Sequence, residues 1–116
     1  MNIETIESEK GNLSYCRMDE SERIGDGSDF LGVIYSCPSH TIVLDREDIT
    51  PEFFSLKTGI AGDLLQKVSN YRKRLIILGD FSRVENKPLR DFIYESNKTG
   101  HVVFAASIAG GVELLK

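Results

Sequence analysis

The segment from residue 41 to residue 79 constrains the fold of this chain more than any other part of the sequence. It holds two short apolar stretches, TIVLD and RLIILG, separated by a stretch, GIAGDLLQKVSNY, whose apolar residues recur at helical spacing. A helix between two apolar strands forms a βαβ unit, in which the two strands run parallel. The sequence therefore predicts an α/β fold built on a mixed, mostly parallel sheet.

The length and composition predict a single domain over residues 1–116. Hydrophobic residues make up 41% of the chain and charged residues 28%, which is ordinary for a soluble globular protein. The net charge of −4 argues against nucleic acid as a partner. Because no stretch is apolar enough to span a membrane and no signal segment follows Met1, we expect a cytoplasmic protein without a membrane partner.

The rest of the chain supplies an N-terminal β-hairpin and further helices and strands. Residues 1–8 and 13–17 flank a turn at Gly11 and Asn12, and the mixed face of the second strand suggests an edge position. We also predict a helix from Ser28 to about Cys37, a one-turn helix opened by Thr50 and Pro51, a helix capped by Thr58, a helix from Pro88 to Gly100, a strand from His101 to Ala105 and a helix from Ser107 to Leu115. Right-handed crossovers place the helices on the sheet faces, while the hairpin can lie at either edge.

Candidate binding residues gather where the parallel strands end. In open α/β sheets, ligands bind at the carboxyl ends of the strands and at nearby helix N-termini. Lys57 would offer a charge to an anion, Thr58 a hydroxyl group, and Gly59 close approach of the backbone. The full set of candidate ligand- or partner-binding residues is Asp45, Lys57, Thr58, Gly59, Asp80 and Ser82. The aspartates and Thr58 could equally serve only as strand ends and caps.

The sequence contains no recognisable catalytic, cofactor or metal motif. His40 and His101 precede strands, so they belong to the edge opposite the candidate residues, and no nucleophile is placed beside either one. Cys16 and Cys37 are too few for a disulfide framework and are expected to be reduced and structural. We therefore predict no catalytic residue, no cofactor and no metal ion. A small enzyme or anion site using Asp45 and Asp80 is the alternative.

Two further surface features have simple interpretations. The basic run Arg72-Lys73-Arg74 follows a helix, where positive charge compensates the helix dipole. Tyr94 lies opposite the inward side of its helix and is expected to be exposed. Since aromatic residues are enriched at interfaces, we predict that Tyr94 contributes to a homodimer or partner surface.

Three blocks of the sequence resemble one bacterial family. These blocks are ITPEFFSLKTGIAGDLLQKVSNY, then LGDFS, then LRDFIYESNKTG, in that order along the chain. They resemble the domain of unknown function family DUF4180. The resemblance implies a small bacterial cytoplasmic domain and assigns no catalytic residue.

A second resemblance concerns the layout of the fold. The segment from residue 42 to residue 79 is similar to the anti-sigma-factor antagonists and the wider STAS domains, which have a strand, a loop, an Asp-Ser-Ser-Gly turn at a helix start, and another strand. In those proteins the first serine of the turn is phosphorylated to release or recruit a partner kinase. Aligning the glycine with Gly59 places Lys57 on that serine and Thr58 on the second one. The resemblance implies a non-enzymatic, STAS-like regulatory or binding module for a protein partner or a small anionic ligand.

Overall fold

The computed structural model describes all 116 residues. The five strands are β1 (Asn2–Ile6), β2 (Leu13–Arg17), β3 (Thr41–Asp45), β4 (Arg74–Leu78) and β5 (Val102–Ala105). The four α-helices are α1 (Gly27–Ser36), α2 (Ile60–Asn70), α3 (Lys87–Thr99) and α4 (Ile108–Leu114). Three short 3₁₀ helices, Arg46–Asp48, Pro51–Phe54 and Leu56–Thr58, connect β3 to α2. None of the helices combines the length and apolarity that crossing a membrane requires.

The strands form one sheet in the order β1-β2-β3-β4-β5, which confirms the predicted fold class. β1 and β2 are antiparallel, and β2 to β5 are parallel neighbours. The hairpin therefore lies at one edge, but the prediction that its second strand is an edge strand is wrong, since β1 lies outside it. Polar residues of β2 are bonded inside the protein: the buried Ser14 hydroxyl accepts a hydrogen bond from the Ser39 N–H at 3.0 Å.

Helices α1, α2 and α3 all pack on the same face of the sheet. Successive parallel strands that are also neighbours, joined by right-handed crossovers, require their helices to lie on one side. The larger apolar core confirms this arrangement, because side chains of α1 (Phe30, Val33), α2 (Leu64, Val68) and alternate residues of the central strands belong to it, and Phe92 and Ile93 of α3 pack against it. Helix α4 covers the other face, where Val112 and Leu115 complete a smaller core.

Several helix boundaries differ from the predicted ones by a few residues. Helix α1 is capped by Asp26, whose carboxylate accepts from the Asp29 N–H at 2.9 Å, so the predicted cap Ser28 instead lies inside the first turn. Helix α3 is capped by Asn86, and Gly100 ends it in the left-handed conformation, as predicted. The Ser107 cap of α4 is confirmed, since its hydroxyl accepts from the Gly110 N–H.

Candidate functional site

Asp45 and Asp80 lie at the ends of neighbouring strands, as predicted, but each is engaged locally. Asp45 accepts a hydrogen bond from the Tyr15 hydroxyl at 2.6 Å; burial and this bond raise the pKa of Tyr15. Asp80 is exposed and accepts from both the hydroxyl and the N–H of Ser82. These two hydrogen bonds lower the pKa of Asp80, which makes its carboxylate a weaker base.

Lys57, Thr58 and Gly59 lie at the exposed start of α2. The residue at the cap position of this helix is Gly59, in the left-handed conformation with φ of 81°, and not Thr58 as predicted. The Thr58 hydroxyl still accepts a hydrogen bond from the Ile60 N–H, at the first residue of the helix, at 3.3 Å. Thr58 ends the preceding 3₁₀ turn, and its hydroxyl lies 2.8 Å from the Glu52 carbonyl oxygen and 2.9 Å from that of Ser55. The Thr58 side chain thus fixes the loop before α2, while Lys57 extends into solvent.

An arginine between two aromatic rings occupies the carboxyl edge of β3 and β4. The Arg46 guanidinium carbon lies 4.9 Å from the centre of the Phe54 ring and 5.0 Å from that of Phe81, and its Nη1 donates to the Asp80 carbonyl oxygen at 2.8 Å. The predicted residues at this edge therefore belong to separate groups, built around Tyr15, Ser82 and the Thr58 turn. No hydrogen bond joins these three groups into one constellation.

A cavity of about 730 Å³ opens at the opposite edge of the sheet, at the amino ends of the strands. Its walls come from the C-terminal parts of α2 and α3 and from the residues just before β3, β4 and β5. Cationic and histidine side chains on the wall are His40, Arg72, Lys73, Arg74, His101 and Lys116. Apolar side chains on the wall are Leu65, Val68, Phe92 and Val102.

The sheet itself brings the two histidines to this cavity. The Arg74 N–H donates to the His40 carbonyl oxygen at 3.0 Å, and the Leu75 N–H donates to that of His101 at 2.9 Å. Both histidines are exposed, and His40 lies beside the basic run. Burial, followed by the charges of Arg74 and Lys73, lowers the pKa of His40 from its ordinary value of 6.5.

Two members of the basic run, Lys73 and Arg74, line the cavity and also bind neighbouring segments of the chain. The Arg74 guanidinium donates to the Thr41 hydroxyl at 2.9 Å and to main-chain oxygens of Lys10 and Lys116. Lys73 Nζ donates to the Ser39 carbonyl oxygen at 2.9 Å. These contacts connect the start of β4 to the surrounding loops. Arg74 and Lys73 therefore have a structural role in addition to the predicted compensation of the helix dipole.

Arg72 presents its side chain from a left-handed backbone position. It is the only non-glycine residue with positive φ, at 54°. The Arg72 N–H bonds to the Ser69 carbonyl oxygen and the Lys73 N–H to that of Val68, which is the Schellman arrangement that ends a helix. Glycine is the usual residue at this point because it has no Cβ to strain the left-handed conformation.

The charge around the cavity is strongly unbalanced. Four of the chain's Lys and Arg residues and both of its histidines line it, against one acidic side chain, Glu95. The chain's four salt bridges all lie elsewhere and involve none of these cations. In a chain of net charge −4, this segregation makes the cavity a local site of positive potential.

A smaller, polar cavity of about 430 Å³ adjoins the first one. The two cavities share His40 and Arg74, and the smaller one is otherwise lined by residues of the hairpin turn and the loop before β3, including Lys10 and Asn12. Every buried side-chain nitrogen and oxygen in the chain has a hydrogen-bond partner, and no group of three His, Cys, Asp or Glu residues could hold a metal ion.

The sequence carries a signal for this cavity, in residues that lie far apart along the chain. The basic run and the two histidines all precede strands of one parallel sheet, so they had to meet at one edge. The apolar wall had no such signal, because Leu65 and Phe92 belong to the ordinary inward stripes of their helices. Their partial exposure depends on a gap between the ends of α2 and α3, which only the packing of these helices creates.

The fold and the cavity define a small α/β domain with a mixed five-stranded sheet. The family model for the Domain of unknown function (DUF4180) matches residues 10–113, so the chain belongs to that family. This match confirms the first resemblance. The searches of curated proteins and of solved structures gave no match, and the similarity to STAS domains stays a prediction.

Proposed function

We propose that this chain is a non-enzymatic binding module that holds a small ligand in the cavity at the amino ends of its strands. The observation that supports this proposal is the combination of a volume of about 730 Å³ with an apolar wall and several cations outside any salt bridge. Ligand sites in proteins are typically concave, mainly apolar and furnished with a few polar groups, over a similar range of volume.

A regulatory role is the natural use of such a module. Ligand binding between the ends of α2 and α3 would favour one arrangement of these helices. A protein partner that binds the outer surface of the two helices would then bind the ligand-bound and ligand-free forms with different affinities. This role is the kind that the STAS-like layout implies. It requires no catalytic group.

The proposal is tested by measuring ligand-induced stabilisation with a variant that fills the cavity. Ser69 and Gln66 are both exposed residues of α2, but only Ser69 lines the cavity. We expect Ser69→Phe to obstruct the site and Gln66→Phe to leave it open. Thermal unfolding would be followed against a library of neutral, cationic and anionic small molecules, since a ligand that binds the folded state raises the melting temperature.

Compounds that raise the melting temperature of the wild-type chain and of Gln66→Phe, but not of Ser69→Phe, would support the proposal. Equal responses of both variants would place binding outside the cavity. A library without a single stabilising compound would argue that the chain is not a small-molecule binding module.

The carboxyl edge is a second candidate surface, for a protein partner. Lys57, Thr58 and Gly59 are exposed there beside the half-buried aromatic pair that holds Arg46. Asp45, Asp80 and Ser82 would form the neighbouring part of the same surface. If this edge binds the partner, Lys57→Ala and Thr58→Val should weaken capture of any protein that co-purifies with the chain, while Ser69→Phe should not. Normal capture by both folded variants would exclude this edge.

The enzymatic alternative assigns acid–base roles to Asp45 and Asp80. It predicts a hydrolytic or proton-transfer activity that Asp80→Asn abolishes and that Ser82→Ala alters by raising the pKa of Asp80. An activity that survives Asp80→Asn unchanged would exclude this role.

A further inference from the structure

We propose that the cavity selects an amphipathic anion: an apolar body of one or two rings, or a short acyl chain, that carries a single carboxylate or phosphate group. This inference rests on the proposed function, because it names the class of ligand for the same site. It goes further in requiring both parts of the ligand, so that neither the charged group nor the apolar body alone is sufficient.

The charged group is expected to bind near Arg72, Lys116 and the histidines. Arg74 and Lys73 already donate to oxygens of the protein, which limits the donors they can offer to a ligand. Arg72 and Lys116 lie on the wall outside any salt bridge and keep their charge available. A carboxylate or phosphate accepts charge-assisted hydrogen bonds from such donors, and the guanidinium can donate two at once.

The apolar body is expected to bind against α2, α3 and β5. Leu65 and Phe92 are only half-buried, and both turn apolar surface towards the cavity beside Val68 and Val102. The Phe92 ring packs edge-to-face on Phe104 at 6.0 Å between ring centres, which holds it in one orientation. An apolar group placed there would cover this surface, and its burial supplies binding energy that an inorganic ion cannot gain.

The left-handed backbone at Arg72 is a second observation that supports a role for this side chain. A left-handed conformation is unfavourable for arginine, and glycine would fit the same helix end without strain. Strained residues that persist are concentrated at binding and switch sites. An arginine at this position, on the wall of a positively charged cavity, therefore favours an anionic ligand over a neutral one.

The experiment compares four probes by calorimetry with the full chain: 2-naphthoate, 2-naphthyl phosphate, neutral 2-naphthylmethanol and inorganic phosphate. We expect one or both naphthyl anions to bind at least about tenfold more tightly than the neutral alcohol and than inorganic phosphate. Comparison of 2-naphthoate with 2-naphthyl phosphate shows whether the cavity prefers a carboxylate or a phosphate group.

Variants then locate the site. Arg72→Gly removes the side chain and relieves the backbone strain, so weaker binding cannot be ascribed to misfolding. The double variant Arg72→Gly/Lys116→Gln should weaken binding of the naphthyl anion by about tenfold or more. The control Arg83→Gln/Arg90→Gln changes the net charge equally at exposed residues that do not line the cavity, and it should bind normally.

Three results would overturn this inference: equal affinity for the alcohol and the anions, equal losses in the two double variants, or no binding of any naphthyl probe. The first would leave the proposed function intact, because a neutral ligand would still occupy the cavity. The proposed function fails separately, when no compound of the mixed library distinguishes Ser69→Phe from Gln66→Phe.

Discussion

Individual residues around the cavity occupy states that are unfavourable for folding alone. Arg72 lies just beyond the end of α2, in the left-handed region, and His40 lies beside the charges of Arg74 and Lys73. Neither state follows from a local sequence preference. Positive charge at the amino edge of the sheet, suited to a negatively charged ligand, would account for both states. The backbone strain at Arg72 and the pKa of His40 can each be measured without knowledge of the ligand.

The strain at Arg72 predicts a stabilising substitution. A left-handed conformation costs an L-residue about 1–2 kcal/mol, and the greater freedom of glycine in the unfolded chain offsets part of the gain. Arg72→Gly should therefore raise the free energy of unfolding by about 0.5–1 kcal/mol, measured by denaturant titration. Arg72→Ala also removes the guanidinium but keeps the strained backbone, so this control should not gain stability. Equal stability of the glycine and alanine variants would contradict the assignment of strain.

The lowered pKa of His40 predicts a loss of stability in mild acid. Its pKa in the folded state lies below the ordinary value of 6.5, so protonation favours the unfolded chain. The stability that neutral His40 contributes is present above pH 6.5 and is lost as the pH falls through the folded-state pKa. Between about pH 7.5 and about pH 5, the wild type should lose more stability than His40→Gln. An imidazole pKa at or above 6.5, measured by NMR titration, would refute this prediction.

At the scale of the element, α4 shows how a locally unfavourable sequence can be required by packing. Consecutive glycines weaken a helix, and α4 has only seven residues with Gly110 and Gly111 near its centre. A Cβ atom on Gly111 would lie 2.5 Å from Cγ2 of Ile76 in β4, so the helix packs against the sheet at a distance that only glycine permits. Gly110 faces away and meets only Ser107 and Ala105.

This difference between the two glycines predicts opposite tolerances to alanine. Gly111→Ala should lower the free energy of unfolding by about 1–3 kcal/mol, because the added methyl group overpacks the smaller core. Gly110→Ala should be close to neutral, since its helix propensity gain of about 1 kcal/mol offsets the close contact with the Ser107 hydroxyl. Chemical denaturation of both variants under the same conditions checks the prediction. Comparable losses at the two positions would show that backbone propensity, rather than packing against Ile76, decides stability here.

At the scale of the whole molecule, one face of the sheet carries three helices and presents a broad outer surface. Tyr35, Tyr71 and Tyr94 are exposed on this layer, with Tyr94 at 64%. Tyr35 and Tyr71 contact each other through their hydroxyls at 3.0 Å, whereas Tyr94 has only the Lys98 ammonium group over its ring. The predicted exposure of Tyr94 is confirmed, and its role at an interface stays a prediction.

We expect the chain to associate as a homodimer through the surface of α3 that carries Tyr94. Tyr94→Ala should then shift the mass measured by size-exclusion chromatography with light scattering towards the monomer, because truncation removes a large aromatic contact. Tyr35→Ala removes an even more exposed tyrosine, on α1, and serves as the control. A wild-type chain that stays monomeric at every concentration would exclude the interface.

The sequence alone established the fold class and most of the elements. Apolar runs such as residues 41–45 and 74–78 are recognisable as buried strands because both faces of a parallel sheet are covered. The strand at 102–105, the Ser107 cap and the Gly100 terminus also depend on a few adjacent residues. The start of α1 is hard to predict because neighbouring polar residues compete for the cap position. The start of α2 is set by the left-handed backbone of Gly59 rather than by a capping side chain.

Only the tertiary structure decided the strand order and the place of the main cavity. The order of the strands depends on contacts between segments far apart in the chain, so β2 could not be recognised as an interior strand from its own alternation. The sequence predicts a ligand site at the carboxyl ends of the strands, because parallel sheets commonly bind ligands there. In this protein Arg46 and its aromatic neighbours occupy part of that edge, while the main cavity opens at the other one, beside the C-terminal parts of α2 and α3. The shape of such a cavity depends on how several elements pack together, which is a property of the assembled core rather than of any local stretch of sequence.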